Sequence, residues 1–218
     1  MKPYYDNLAM KYGEANFFLQ LLKINLMAEY IKDPYYNTPE FLAVREITGH
    51  VRMAGTHGCK LTEIIPGVFT AHFNDIKDPH SFEALNLQPP IGLVINSAVA
   101  AKQCDTYPGY YGSDIDVLCI DLLDDPTPGD AKKDFAVCNE KIKKVLDEGK
   151  SVLIHCMASI SRSAVFVLAF LMEYKGWTVV EAAKHMKSKW DATWPNHLFV
   201  RQLLEFEAEL KASGKINQ

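Results

Sequence analysis

Cys156 and Arg162 stand with five residues between them, and Ser163 follows directly. An ionised thiol is a strong nucleophile, and a guanidinium is a planar fork matched to phosphate oxygens. Together they suit chemistry on a phosphoryl group, provided the backbone brings them to one point. Val152, Leu153 and Ile154 form a short apolar run of the kind expected for a buried strand. From Ser163 an apolar segment continues through Tyr174 to Lys175-Gly176, the pattern of a helix and its stop. A loop running from such a strand into a helix N-terminus aims backbone N–H groups at one spot, where the helix dipole also favours negative charge. The same field favours the thiolate form of Cys156.

His155-Cys156-Met157-Ala158-Ser159-Ile160-Ser161-Arg162-Ser163 resembles the signature loop of cysteine-dependent protein tyrosine phosphatases. The following Ala169-Phe170-Leu171-Met172 makes the stretch most similar to the small (atypical) dual-specificity branch. The resemblance implies that Cys156 is the nucleophile. It implies that Arg162 and the backbone of Met157, Ala158, Ser159, Ile160 and Ser161 hold the phosphate. Ser163 would donate a hydrogen bond to the Cys156 sulfur, and His155 would orient the loop rather than carry protons. One residue departs from the pattern, because the family usually has Gly where this chain has Ser159. A non-Gly residue forced into a left-handed conformation costs about 1–2 kcal/mol, so the sign of φ at Ser159 decides whether the loop is strained.

Phosphoryl transfer to sulfur also needs a general acid, since an alkoxide or phenolate leaves poorly without a proton. Ile115 to Ile120 reads as a buried strand, followed by Asp121-Leu122-Leu123-Asp124-Asp125-Pro126. Asp124 lies 32 residues before Cys156, similar to the placement of the family's acid. Asp125 is its main rival and Asp121 the weaker one; each could instead be a turn aspartate. No metal or other cofactor is called for by this set of groups.

The composition bounds the setting. A chain of 218 residues that is 48% hydrophobic and 23% charged suits a globular domain with an extension. A net charge of −4 speaks against broad nucleic-acid binding. Five cysteines without CxxC spacing fit reduced thiols in the cytoplasm or nucleus rather than a disulfide framework or a zinc site. The start, Met1-Lys2-Pro3, has neither a signal-peptide core nor the Gly required for myristoylation, and Ala15–Ile31 is too interrupted by polar residues to anchor in a membrane.

In chain order, residues 1–60 read as a helical N-terminal extension. A first amphipathic helix spans Phe17 to Ile31, and a second opens at Thr38-Pro39-Glu40 and runs to about Ile47. Two readings stand for this extension: packing against the catalytic domain, or a docking or dimerisation surface. Residues 61–213 read as the catalytic domain. A strand over Ile65–Ala71 is entered through Pro66-Gly67, a short helix opens at Asp78-Pro79 and ends near Leu87, and a buried strand runs from Ile91 to Val94 with Asn96 at its end. Tyr107, Tyr110 and Tyr111 sit in a loop that could border the site or form a surface cluster. An amphipathic helix over 131–148 turns Phe135, Val137, Cys138, Ile142, Val145 and Leu146 inward, and Gly149 ends it. A helix from Thr178 to Lys189, with Thr178 and Glu181 in a capping-box pattern, and a last helix that follows Trp194-Pro195-Asn196-His197-Leu198-Phe199 and runs to about Lys211 complete the chain. The alternation predicts an α/β fold, with a central, largely parallel twisted sheet flanked by helices on both faces.

The expected function is a cysteine-dependent protein phosphatase acting on phosphotyrosine and phosphoserine/threonine. Its implied partners are phosphorylated proteins, with kinases one qualifying class. The uncharged residues 157–161 weaken a phosphoinositide reading, since relatives of that kind place lysines there. The alternative is a phosphatase-like module, catalytically impaired through Ser159, that still binds phosphorylated partners. Substrate identity and oligomeric state are open at this level.

Overall fold

The computed structural model describes residues 34–49, 61–80, 82, 87–99, 104, 106–124 and 129–216. The helix expected over Phe17–Ile31 and the rival acid Asp125 lie outside them, as does most of the helix expected after Asp78. Residues 39–218 make one compact unit; residues 1–38 are a separate one, of which 34–38 are described as a turn.

The unit is built on a five-stranded sheet. Its strands are β1 (Thr62–Ile65), β2 (Val68–Thr70), β3 (Ile91–Asn96), β4 (Asp116–Cys119) and β5 (Ser151–His155), in the order β1-β2-β5-β3-β4. All neighbours are parallel except β1 and β2. The sequence suggests a single strand entered through Pro66-Gly67. The structure instead makes those two residues the turn of a hairpin, with Gly67 at φ +80°, where a side chain would also meet Leu146. Thr62-Glu63 alternate too little to announce β1. β3 and β5 fall where their apolar runs place them, but the strand expected to be buried over Ile115–Ile120 is the edge strand β4, with Asp116 exposed and Val117 to Cys119 only half-buried.

β5 lies between β2 and β3, and all five of its residues are buried, as are all six of β3. That is the burial expected of central parallel strands covered on both faces. The helices are α1 (Pro39–Thr48), α2 (Phe73–Ile76), α3 (Phe135–Asp147), α4 (Arg162–Lys175), α5 (Val179–Lys189) and α6 (His197–Ala212). α4 is buried continuously from Arg162 to Met172, with α3, α5 and α6 packed around it. A helix apolar on every side is a core helix, and Gly176, left-handed at φ +66°, ends it. α1 packs on α5 and α6, burying Phe41, Val44 and Thr48.

Three inward assignments for α3 need correcting. Val137 is 50% exposed, and Asn139 takes the buried position instead, donating to Glu173. Val145 and Leu146 are only half-buried. Phe135, Cys138 and Ile142 hold the core face as expected.

Candidate active site

The C-terminal ends of the parallel strands carry the site. β5 runs straight into Cys156, and its end is clamped from both neighbours. Thr70 Oγ1 donates to the Ile154 carbonyl, while Ser97 donates to the His155 carbonyl from both its N–H and its Oγ. Asn96, at the end of β3, accepts from the Ala98 N–H and donates to Thr106 Oγ1, fixing the chain that leaves β3.

Residues 157–161 form an irregular loop that ends at the first turn of α4. Ser161 stands at the N-cap without capping the helix through its side chain. Among the described residues, none of the amide N–H groups of 157–161 donates to a protein acceptor. Unpaired N–H groups before a 14-residue helix are an arrangement that can receive an oxyanion.

Cys156 directly precedes this loop, 3% exposed, and accepts a hydrogen bond at its sulfur from Ser163 Oγ at 3.5 Å. Arg162 is buried on α4, and its Nε lies 3.5 Å from Asp124 Oδ2. The other carboxylate oxygen of Asp124 accepts from Ser161 Oγ at 3.0 Å and from Asn196 Nδ2 at 2.7 Å. Asp124 thus sits beside the 157–161 loop although it comes from the loop after β4. Asp121 is exposed, and among the described residues no hydrogen bond ties it to this group.

His155 is fully buried, stacked on Phe73 with ring centroids 5.8 Å apart. Its Nδ1 faces the Cys156 carbonyl at 2.9 Å, so the proton is on Nδ1 and Nε2 is bare. Burial lowers its pKa to about 4, which keeps the ring neutral around pH 7. The geometry suits a residue that orients the loop carbonyl.

Ser159 has φ +52°, so the serine does occupy a left-handed position. Its fully buried Oγ donates to the Ala71 carbonyl at 2.6 Å and accepts from the Cys156 N–H at 3.4 Å. The hydroxyl bridges the donor that follows β5 to the acceptor that follows β2, one rung past the ladder pairing Thr70 with Ile154. Trp190 Nε1 adds a donor to the Ser159 carbonyl at 2.8 Å. These bonds offset the backbone strain and hold the loop. Ser159→Ala keeps the strain and strands the buried Ala71 carbonyl, so it is expected to destabilise the fold by roughly 1–3 kcal/mol. Ser159→Gly also relieves the strain and should cost less. Chemical denaturation of both variants checks the order.

Two tyrosines of the loop after β3 have structural partners. Tyr111 is buried and donates to the Ile76 carbonyl, and Tyr110 donates to that of Lys77, while Tyr107 is 59% exposed. Cys104 packs against Cys156, with its Sγ 3.4 Å from the Cys156 carbonyl oxygen. Asn196 is the site residue that reading along the sequence did not assign. It also caps α6, where its Oδ1 accepts from Phe199 N–H, and nothing local to it signals a carboxylate 72 residues away.

Comparison with known proteins gives one consistent result. Residues 76–209, more than half of the chain, match the family model "Dual specificity phosphatase, catalytic domain". Dual specificity protein phosphatase 1 of Arabidopsis thaliana is 39% identical over 81 residues, 37% of this chain and 41% of that protein. Dual specificity protein phosphatase 26 of Mus musculus is 38% identical over 103 residues, 47% of this chain and 48% of that one. The chain thus spans about half the length of these relatives. The crystal structure of DUSP15 superposes with a TM-score of 0.60 at 26% identity, covering 72% of this chain and 92% of that one.

Proposed function

The chain belongs to the dual specificity phosphatase catalytic-domain family, and on that premise we propose that it is a cysteine-dependent phosphatase of phosphotyrosine and phosphoserine/threonine in proteins. The observation that carries this reading is the meeting of the continuous Cys156–Arg162 stretch with Asp124, which comes from a separate part of the chain. A buried cysteine precedes a run of unpaired N–H groups, with Arg162 on the following helix and Asp124 beside Arg162.

The reaction has two steps. The Cys156 thiolate attacks phosphorus in line, an S–P bond forms, and the ester P–O bond breaks as Asp124 gives its proton to the leaving oxygen. The N–H groups of 157–161 and the Arg162 guanidinium hold the equatorial oxygens while charge redistributes. In the second step a water gives a proton to the Asp124 carboxylate and attacks phosphorus. The S–P bond breaks, and Ser163 Oγ stabilises the departing thiolate. The net change is ester plus water to alcohol plus phosphate. The Arg162–Asp124 pair keeps the acid beside the loop, and Ser161 and Asn196 fix which oxygen faces inward.

Residues 157–161 carry no charge, which suits a single phosphate on a protein side chain better than a polyphosphorylated headgroup. The partners are then phosphorylated proteins, kinases among the qualifying class, and not nucleic acids. Cys104, Cys119, Cys138 and Cys156 are all free thiols, which supports placement in the cytoplasm or nucleus. Among the described residues no helix is long and apolar enough to cross a membrane. The test is phosphate release from phosphotyrosyl and phosphoseryl peptides. Release of many equivalents per chain is expected; stoichiometric protection of the peptide without release would contradict the proposal.

A further inference from the structure

We infer that Arg45, on the helix ahead of the family-matched segment, is a positioning residue for the general acid. The inference rests on the reading of Asp124 given above. Arg45 projects from α1, outside the matched residues 76–209. Its Nη1 donates to the Pro195 carbonyl at 2.9 Å, and its guanidinium lies over the Trp194 ring, 5.3 Å from the centroid. The two contacts grip consecutive residues of the segment between α5 and α6.

The next links run from that segment into the site. Trp194 N–H donates to the Ile160 carbonyl of the anion loop at 2.8 Å. Asn196 N–H donates to Ser161 Oγ at 3.1 Å, and Asn196 Nδ2 donates to Asp124 Oδ1. Ser161 Oγ donates to the same oxygen. Asp124 is therefore held by two groups that both depend on where the 194–196 segment lies, and Arg45 grips that segment from outside. Phe41, Val44 and Thr48 seat α1 on its buried side, so Arg45 is presented by a packed helix. A planar guanidinium can stack on an indole and donate in its own plane at once; an ammonium cannot. A hydrogen-bonded carboxyl group displaced by even a fraction of an ångström transfers its proton less well.

A general acid matters for a poor leaving group and hardly at all for a good one, so two esters separate positioning from folding. The substrates are the phosphate of an unactivated phenol and that of a strongly acidic, fluorinated coumarin. Arg45→Met keeps the aliphatic stem. It is expected to lower kcat on the phenyl ester roughly five-fold, about the net worth of one hydrogen bond, and to leave the coumarin ester within about two-fold. Arg45→Lys should fall between Arg45→Met and wild type. Leu42→Ala, an exposed change on the same helix, should match wild type on both. In an Asp124→Asn background, Arg45→Met should cost nothing further on the phenyl ester. Equal losses on the two esters, no loss on either, or an additive loss in the double variant would overturn the inference while leaving Asp124 as the acid. If Asp124→Asn itself slows both esters equally, Asp124 is not the acid, and the inference falls with that reading.

Discussion

Replacing Cys156 by serine is expected to lower kcat by on the order of 10⁴-fold or more, with binding of phosphate esters retained. Serine is nearly the same size, so the loop around it, with its bridge from Ser159 to Ala71 and its clamp from Ser97 to the His155 carbonyl, has no reason to move. What changes is the nucleophile. A hydroxyl stays protonated where a thiol can ionise, and among the described residues no side chain is hydrogen-bonded to this position so as to take its proton. His155, the nearest candidate, is buried and turned the wrong way, with its protonated nitrogen against the Cys156 carbonyl. Losing the group that forms the covalent intermediate costs far more than losing any group that supports it. The N–H groups of 157–161 and Arg162 remain, so the variant should still bind phosphopeptides. Steady-state kinetics with calorimetric binding checks both halves.

Asp124→Asn is expected to reduce kcat on unactivated aryl phosphates by roughly 10²- to 10⁴-fold, the usual range for a positioned acid–base group. The amide keeps the shape and can still accept from Ser161 Oγ, so the loop stays in place. It cannot supply the proton for the leaving oxygen or take one from water. The loss should shrink as the leaving phenol becomes more acidic. Comparing the two esters above at one pH checks this. Arg162 contacts the same carboxylate at 3.5 Å, but its removal would also weaken phosphate binding, which distinguishes it from Asp124→Asn.

Much of this site is legible because its parts are local. The strand, loop and helix around Cys156 follow from apolar runs and a helix stop within about two dozen residues, and the structure has them at Ser151–His155 and Arg162–Lys175. The capping box of Thr178 and Glu181 is likewise written in adjacent residues. What escapes is non-local. The β1–β2 hairpin depends on pairing that two weakly patterned residues do not announce, and Val137 trades places with Asn139 because Glu173, on the neighbouring helix, offers the amide a partner. Ser159 shows the limit from the other side. Its identity raised the question of strain, but the answer needed the positions of Ala71 and Trp190, distant in sequence. The grip of Arg45 on Pro195 spans 150 residues and has no sequence signature at all.

The central claim is a covalent bond between phosphorus and the Cys156 sulfur, and the most direct test does not need that intermediate to accumulate. Phosphate labelled with ¹⁸O on every oxygen is incubated with the protein in ordinary water, and the label is followed by mass spectrometry. Reversible formation of phosphocysteine expels one phosphate oxygen as water and returns an unlabelled one. Stepwise loss of ¹⁸O by wild type and none by Cys156→Ser is the predicted result. A wild-type protein that hydrolyses esters without exchanging phosphate oxygen, or exchange that persists in Cys156→Ser, would contradict the account.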